Sequence, residues 1–444
     1  MPDSLRHIAL CSAVVLALAC SQATSHKTER AQTAPAPPST APIAKAQRGQ
    51  ARTPTPKEQE AIARLMRLAE RVRGLRFIAR VPVAIENAEA VMDYARSELR
   101  RDELENARTI YVALNMLPAH LDIEELLVSL LGEQVVGYYD ARQGRLVVRD
   151  DVIAGLGAED QDVQSLAARE VLLHELVHAL QDQHFGLRER LDEKRSSDGE
   201  NAFRALVEGD AMLAVAGFAA QQAGVPLRAL IGDRERMHSL ATAITQAATA
   251  SPLLSDAPAI VREPLLSAYR DGLMYTAHLY LTNNSFTAVD AAYQAPPTTM
   301  REVLHPELQK VSSAPPSLPS ELKILGSEYS AVTQESLGEL ELFAYLSSDM
   351  PAKRARAAAE GWTGDAVQVY RDAAGHVMAL WLVQQGSQLD AQELANAARE
   401  VQESRCKRVC DDQHVTQRDL QVLIGHGLSR TLFEQAATTL FSAP

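Results

Sequence analysis

The chain has 444 residues, of which 46% are hydrophobic and 23% are charged. This length and composition are typical of a folded protein with more than one domain, not of a disordered or fibrous chain. A formal net charge of −13 and a pI of about 5.5 come without any basic stripe. The sequence therefore predicts no nucleic-acid partner.

Residues 1–19 have the pattern of a bacterial export signal. Arg6 precedes an apolar stretch, residues 8–19, that is too short to span a bilayer. The stretch ends in a small residue followed by Cys20, which resembles the site of lipid attachment in lipoproteins. We expect an acylated Cys20 to anchor the mature chain in the cell envelope, and Ser21 is typical of an outer-membrane address. Simple signal cleavage without lipid is the alternative.

Residues 20–56 are rich in Ala, Pro, Thr, Ser and Gln and have almost no large apolar side chains. Such a segment buries too little surface to offset its ordering entropy, so it predicts a disordered tether. The larger domain is predicted over residues 57–310, with a helical part at 57–125 and a catalytic core at 126–310.

Apolar periodicity predicts the elements that precede the main motif. Helices are expected over residues 57–73, 88–99, 110–117 and 123–131, and a strand over 77–85. Residues 134–139 and 145–148 are two short apolar runs that flank a turn at 140–144, which predicts a hairpin.

The strongest chemical signal is His-Glu-x-x-His within residues 163–185. The four-residue spacing of His174 and His178 puts both imidazoles on one helix face, where they can bind the same Zn²⁺. Glu175 lies beside them, placed to take a proton from a metal-bound water. Core histidines without a metal are the plain alternative. The opposite helix face carries four leucines that anchor it in a core: Leu172, Leu173, Leu176 and Leu180.

A catalytic zinc needs a third protein ligand. His184 follows His178 at the spacing of metzincins, but Gln181 stands where those enzymes need a glycine. Glu208 lies in a second apolar, helical segment, and a carboxylate from a separate helix completes the site of gluzincins. We therefore favour Glu208, with His184 and Asp210 as alternatives.

Further side chains are candidates for supporting roles. Gln181 and Asp182 are placed to orient a ligand histidine through its other ring nitrogen. Residues 211–290 are predicted to be mainly helical, and the sequence does not choose among their possible oxyanion-stabilising groups. These groups are Tyr269, Tyr275, His278 and Tyr280.

Three segments together resemble a bacterial family of exported, gluzincin-type zinc metallopeptidases: residues 133–140 (EQVVGYYD), 174–185 (HELVHALQDQHF) and 206–211 (LVEGDA). Residues 295–307 and 357–365 extend the resemblance. It implies that His174, His178 and Glu208 bind zinc and that Glu175 is the catalytic base. It also implies a zincin-like, mainly helical α+β domain with an edge-strand hairpin beside the active-site helix. Residues 299–302 (TMRE) depart from the family's Ser/Thr-Thr-Glu-Gln pattern.

Residues 311–320 are rich in Ser and Pro and predict a linker. Beyond it, a small α+β domain is predicted over residues 321–444, without any constellation that would bind a metal or act as a nucleophile. Cys406 and Cys410 are four residues apart, and both a disulfide and two free thiols remain open. The predicted elements are strands over 367–370 and 377–383 and helices over 391–403 and 428–440.

These patterns predict an exported zinc metallopeptidase that hydrolyses peptide bonds in a peptide or protein substrate. The alternative is a non-catalytic, zinc-containing surface lipoprotein that acts as a binding or structural module. A site closed by both His184 and Glu208 would favour that alternative, because it leaves no position for water.

Overall fold

The computed structural model describes residues 51–99, 101–134, 137–153, 163–308, 316–319, 322, 329–406 and 411–441. The expected signal, Cys20 and most of the expected tether lie outside these ranges, as does part of the expected linker. Within the described ranges, no helix combines the length and the apolar character needed to cross a membrane.

The fold is mainly helical α+β with two small sheets, as predicted. The elements up to residue 304 are α1 Pro56–Arg73, β1 Val83–Glu86, α2 Ala88–Glu98, α3 Arg101–Ala113, α4 Ile123–Gln134, β2 Gly137–Asp140, β3 Arg145–Arg149, α5 Asp150–Ile153, α6 Val163–Phe185, α7 Leu187–Leu191, α8 Ser197–Gln222, α9 Leu227–Ile231, α10 Arg234–Thr249, α11 Pro252–Ser255, α12 Ala259–Asn283, α13 Thr287–Gln294 and α14 Met300–Leu304. The C-terminal elements are β4 Tyr329–Glu335, α15 Gly338–Ser347, α16 Ala352–Ala359, β5 Trp362–Asp372, β6 Val377–Gln385, α17 Gln388–Arg405, β7 Gln413–Arg418, β8 Gln421–His426 and α18 Arg430–Phe441.

The first sheet has the strand order β1-β3-β2, with β1 parallel and β2 antiparallel to β3. The predicted hairpin is confirmed, and β2 is an edge strand. The strand predicted over residues 77–85 is wrong in its first half, because pairing begins only at Val83. Pro82 has no N–H for a ladder, and the N–H groups of Ile78 and Ala79 donate to the Gln183 side chain instead.

Helices α6, α8 and α12 form the interior of the larger part. Residues 170–181 of α6 are buried on every side, so the packing face and the chemical face are both inside the protein. Helix α8 crosses α12 at Gly209 and Gly272, and a Cβ on Gly209 would lie 2.1 Å from the Gly272 carbonyl oxygen. The Thr276 hydroxyl donates to the Gly209 carbonyl at 2.8 Å. Because the two helices touch here, the residues of α8 next to Gly209 have a fixed position along α12.

The C-terminal sheet is antiparallel in the order β4-β5-β6-β8-β7. The two predicted strands are confirmed within β5 and β6, whereas β4, β7 and β8 were not predicted. Asp365 on β5 accepts hydrogen bonds from the Leu337 and Gly338 backbones and so caps the start of α15. One hydrophobic core extends from Ala61 to Ile424. The larger part and the C-terminal part therefore pack against each other.

Cys406 follows the last residue of α17 and is disulfide-bonded. The other three cysteines, Cys410 among them, lie outside the described residues. Because Cys406 has extended backbone angles, the bond does not have to fit within a regular helix.

Candidate metal centre

Two buried helices bring the predicted ligands together. His174 and His178 come from α6 and Glu208 comes from α8. One carboxylate oxygen of Glu208, Oε2, lies 3.0 Å from His174 Nε2 and 3.5 Å from His178 Nε2. All three side chains are at most 1% exposed. Both imidazoles therefore point the nitrogen that a metal would use toward one carboxylate.

Glu175 and the two histidines form a compact set of donor atoms that does not include Glu208. Ligand atoms of His174, Glu175 and His178 all lie within 4.8 Å of one another. Among the described residues, this is the one group of three or more His, Cys, Asp or Glu side chains that is so close. His178 Nε2, Glu208 Oε1 and Glu175 Oε1 are buried without a hydrogen-bond partner in the described part of the chain. Buried imidazole nitrogens and carboxylate oxygens without partners fit a divalent cation.

The charges of the cluster depend on one another. Burial alone would raise the pKa of Glu208, but His178 and His174 outweigh this effect and hold that pKa at about 2. Burial would lower the pKa of His178, but the Glu208 carboxylate raises it to about 9. Burial lowers the pKa of His174 despite its hydrogen bond with Glu208. The carboxylate therefore stays ionised in a fully buried position.

Glu175 has a different environment. Burial raises its pKa to about 8, although its Oε2 accepts a hydrogen bond from the Tyr139 backbone N–H at 2.9 Å. That N–H belongs to edge strand β2 and points toward α6 instead of into the sheet. The hairpin and the motif helix thus meet at the carboxylate of Glu175.

A second layer of contacts supports His178. Its Nδ1 lies 2.8 Å from Oε1 of Gln181, whose Nε2 donates to the Val207 carbonyl and to Asp210 Oδ2, each at 3.0 Å. Asp210 also accepts a hydrogen bond from the Tyr293 hydroxyl at 3.0 Å. Gln181 was a predicted candidate for this role. The roles of Asp210 and Tyr293 were not predicted.

The remaining candidates have other partners. His184 Nε2 lies 2.7 Å from the Arg76 carbonyl oxygen, outside the buried cluster. Asp210 Oδ1 forms an ion pair with Arg73 Nε at 2.6 Å. Asp182 accepts a hydrogen bond from the Tyr139 hydroxyl at 2.7 Å, so it supports the hairpin and not a histidine.

The four candidates for oxyanion stabilisation separate in space. The ring of Tyr269 lies 6.0 Å from the ring of His174, between centroids, and is buried with it. Tyr275 is buried, His278 is exposed, and Tyr280 packs edge-on against Phe286. The structure therefore places Tyr269 against His174.

Arg73 also belongs to this region, and no pattern in the sequence selects it. It ends α1 as one basic residue of a charged helix, and its partners lie more than a hundred positions away. No local pattern carries that information. The Arg73 side chain is fully buried, which can be seen only once the fold is known.

A family model described as "Domain of unknown function (DUF8575)" matches residues 327–432, which contain the C-terminal sheet and not the metal centre. No curated protein matches the chain. No solved structure matches it either.

Proposed function

We propose that this chain is an exported, zinc-dependent metallopeptidase of gluzincin type, with His174, His178 and Glu208 as metal ligands. The observation that carries the proposal is the approach of one Glu208 oxygen to both imidazole Nε2 atoms. Two nitrogens and one carboxylate oxygen are a donor set of catalytic zinc sites, which keep a fourth position open. A bound zinc would act as a Lewis acid toward a peptide carbonyl and toward water.

Glu175 is the residue that we propose moves the proton. Its carboxylate takes a proton from the attacking water and passes it to the leaving amine. Burial raises the pKa of Glu175 in the metal-free site, and the charge of a bound zinc would lower it again, toward the ionised form that accepts a proton. The Tyr139 N–H holds one oxygen, Oε2, while the other oxygen has no hydrogen-bond partner among the described residues.

Strand β2 supports an extended peptide as the substrate. It is the edge of its sheet and lies beside the motif helix. The N–H of Tyr139 is already bonded to Glu175, so a peptide would have to pair with other backbone groups of this strand. Backbone pairing with an edge strand gives affinity without strong sequence choice. We therefore propose a peptide or unfolded protein segment as the substrate class.

The cellular place of the enzyme is a separate proposal. We propose that lipid on Cys20 anchors the chain in the cell envelope. Cys20→Ser should abolish incorporation of labelled fatty acid and release the protein from the membrane fraction. A wild-type chain that carries no label and is already soluble would refute the anchor.

The activity is tested with Glu175→Gln, which removes the proton carrier and leaves the proposed ligands in place. We expect zinc content equal to wild type and hydrolysis of a proteome-derived peptide library reduced by roughly 100-fold or more. Glu189→Gln makes the same change at an exposed site on α7 and should keep full activity. Hydrolysis by Glu175→Gln at the wild-type rate would refute the mechanism.

The non-catalytic alternative needs a closed site. His184 would close it as a fourth ligand, but its imidazole bonds with the Arg76 carbonyl oxygen instead. The geometry therefore favours the catalytic proposal.

A further inference from the structure

The contacts behind His178 continue through the protein as far as α1. Resting on the proposed metal centre, we infer that Gln181, Asp210 and Arg73 form a positioning chain that holds His178 ready for the metal. Helix α1 is thereby a part of the metal site. None of these three residues is a proposed ligand, so they act by holding the ligand His178 in position.

The contact with Gln181 requires a proton on Nδ1 of His178. Its side-chain nitrogen faces the Val207 carbonyl and Asp210 Oδ2, each at 3.0 Å. A carbonyl and a carboxylate can only accept, so the amide nitrogen has to face them and the amide oxygen has to face His178. That oxygen also only accepts, at 2.8 Å from Nδ1. Nδ1 therefore donates, which leaves Nε2, on the side of Glu208, as the nitrogen that a metal would bind.

Arg73 fixes Asp210 as an acceptor. Its Nε lies 2.6 Å from Asp210 Oδ1, and both side chains are fully buried. The Tyr293 hydroxyl donates to the other oxygen, Oδ2, at 3.0 Å. A guanidinium carries only donors, and its ion pair with Oδ1 holds Asp210 in place beside the Gln181 amide. The orientation of Gln181 therefore depends on Arg73 through Asp210.

The end of α1 is held by more than this ion pair. Arg73 also pairs with Asp290 at 2.6 Å, and its guanidinium carbon lies 4.4 Å from the centre of the Phe286 ring. It is the last residue of α1. Helix α1 and the ligand His178 are therefore joined by a continuous series of buried polar contacts.

The two ligand histidines differ in this respect. His174 Nδ1 is buried and has no hydrogen-bond partner in the described ranges, whereas His178 Nδ1 has Gln181. The positioning chain consequently acts on one imidazole only. A substitution that removes the Gln181 contacts should therefore affect His178 directly and not His174.

The first test compares zinc affinity in the full chain, by competition with a chelator, without any measurement of activity. Gln181→Met keeps the length of the side chain and removes both of its polar contacts. We expect a 10- to 100-fold loss of affinity, on the order of what losing an outer-shell partner costs. Gln183→Met is the same change two residues on, where the side chain holds the backbone of residues 78 and 79, and it should bind zinc like wild type.

The second test is ¹⁵N NMR of the metal-free protein labelled at histidine. We expect a slowly exchanging Nδ1–H on His178 in wild type and in Gln183→Met, and its loss in Gln181→Met. This spectrum does not require bound zinc. A wild type that binds no zinc would refute the proposed function, and the spectrum would still decide whether Gln181 positions His178.

Two further variants cover a failure of Gln181→Met to fold. Gln181→Glu still accepts from His178 but cannot donate to the Val207 carbonyl and Asp210 together, so zinc affinity should fall. Arg73→Lys keeps the charge and loses the forked contact, and we expect a smaller loss, of several fold. Zinc affinity equal to wild type in Gln181→Met, or in Gln181→Glu, would overturn the positioning chain.

Discussion

The metal centre and the start of helix α15 are both rich in buried carboxylates, yet the two regions treat charge in opposite ways. At the metal centre, Glu208 faces two imidazoles and Asp210 faces Arg73. Around α15 lies a cluster that we call the acidic junction: Asp198, Glu339, Glu341 and Asp365. Glu339 lies 2.8 Å from His305 Nε2, and in the described part of the chain the other three members form no ion pair.

The pKa values follow from this difference. Burial and the nearby carboxylates raise the pKa of Glu341 to about 8, and they raise that of Asp198 as well. Glu341 accepts hydrogen bonds from Ser197 and Asn201, which stabilise it without supplying a charge. The pKa of Glu208, by contrast, is held at about 2. Burial therefore raises the pKa of a carboxyl group unless nearby cations outweigh it, as His174 and His178 do for Glu208 but not for Glu175.

The largest loss of stability is expected when the cation is removed from a buried ion pair. Arg73→Met leaves the Asp210 carboxylate buried without its cation, which typically costs about 3–5 kcal/mol. Urea unfolding of the metal-free protein measures this loss. Arg354→Met removes an exposed pair with Glu400 and should leave the unfolding free energy close to that of wild type. Equal effects of the two variants would contradict the account.

The geometry of the metal centre is tested at the crossing of α8 and α12. Gly209→Ala places a Cβ 2.1 Å from the Gly272 carbonyl oxygen, so the helices have to move apart next to Glu208. We expect a loss of about 1–3 kcal/mol in unfolding free energy, together with weaker zinc binding. Gly217→Ala on the same helix meets its nearest atoms at 3.7–3.8 Å and should stabilise by about 0.5–1 kcal/mol. A Gly209→Ala variant as stable as Gly217→Ala would show that the crossing tolerates a side chain.

The acidic junction is tested through pH. A carboxyl group whose pKa is raised on folding stabilises fully below the unfolded pKa, and this contribution is lost as pH rises toward the folded value. Glu341 should therefore reduce stability between its ordinary pKa of 4.5 and about 8, by up to about 1.4 kcal/mol for each pH unit. Glu341→Gln should flatten this decline and match wild type near pH 4.5. Identical pH slopes for the two proteins would contradict the raised pKa.

The sequence predicted the parts of this structure that depend on near neighbours. The His-Glu-x-x-His spacing predicted which side chains share a helix face, because helix geometry alone determines that relation. The hairpin was predicted from two apolar runs and a turn. Glu208 was favoured as the third ligand because it lies in a second apolar helical segment, and its Oε2 lies within 3.5 Å of Nε2 of both histidines.

What the sequence did not predict depends on distant contacts. Helix α15 has no capping side chain at its own first residues. Asp365 from β5 caps it instead. Strand β7 is largely polar at the edge of its sheet, so no apolar alternation marks it. The contact of Arg73 with Asp210 joins residues far apart in the chain, and no local pattern encodes such a pair.

His174, His178 and Glu208 are the proposed ligands of the metal site. The zinc content of Glu208→Ala and His184→Ala, measured by elemental analysis after dialysis against a limiting chelator, tests this assignment directly. We expect about one zinc per chain in wild type and in His184→Ala, and almost none in Glu208→Ala, because two imidazoles alone bind zinc far less tightly. Zinc retained by Glu208→Ala and lost from His184→Ala would contradict the account.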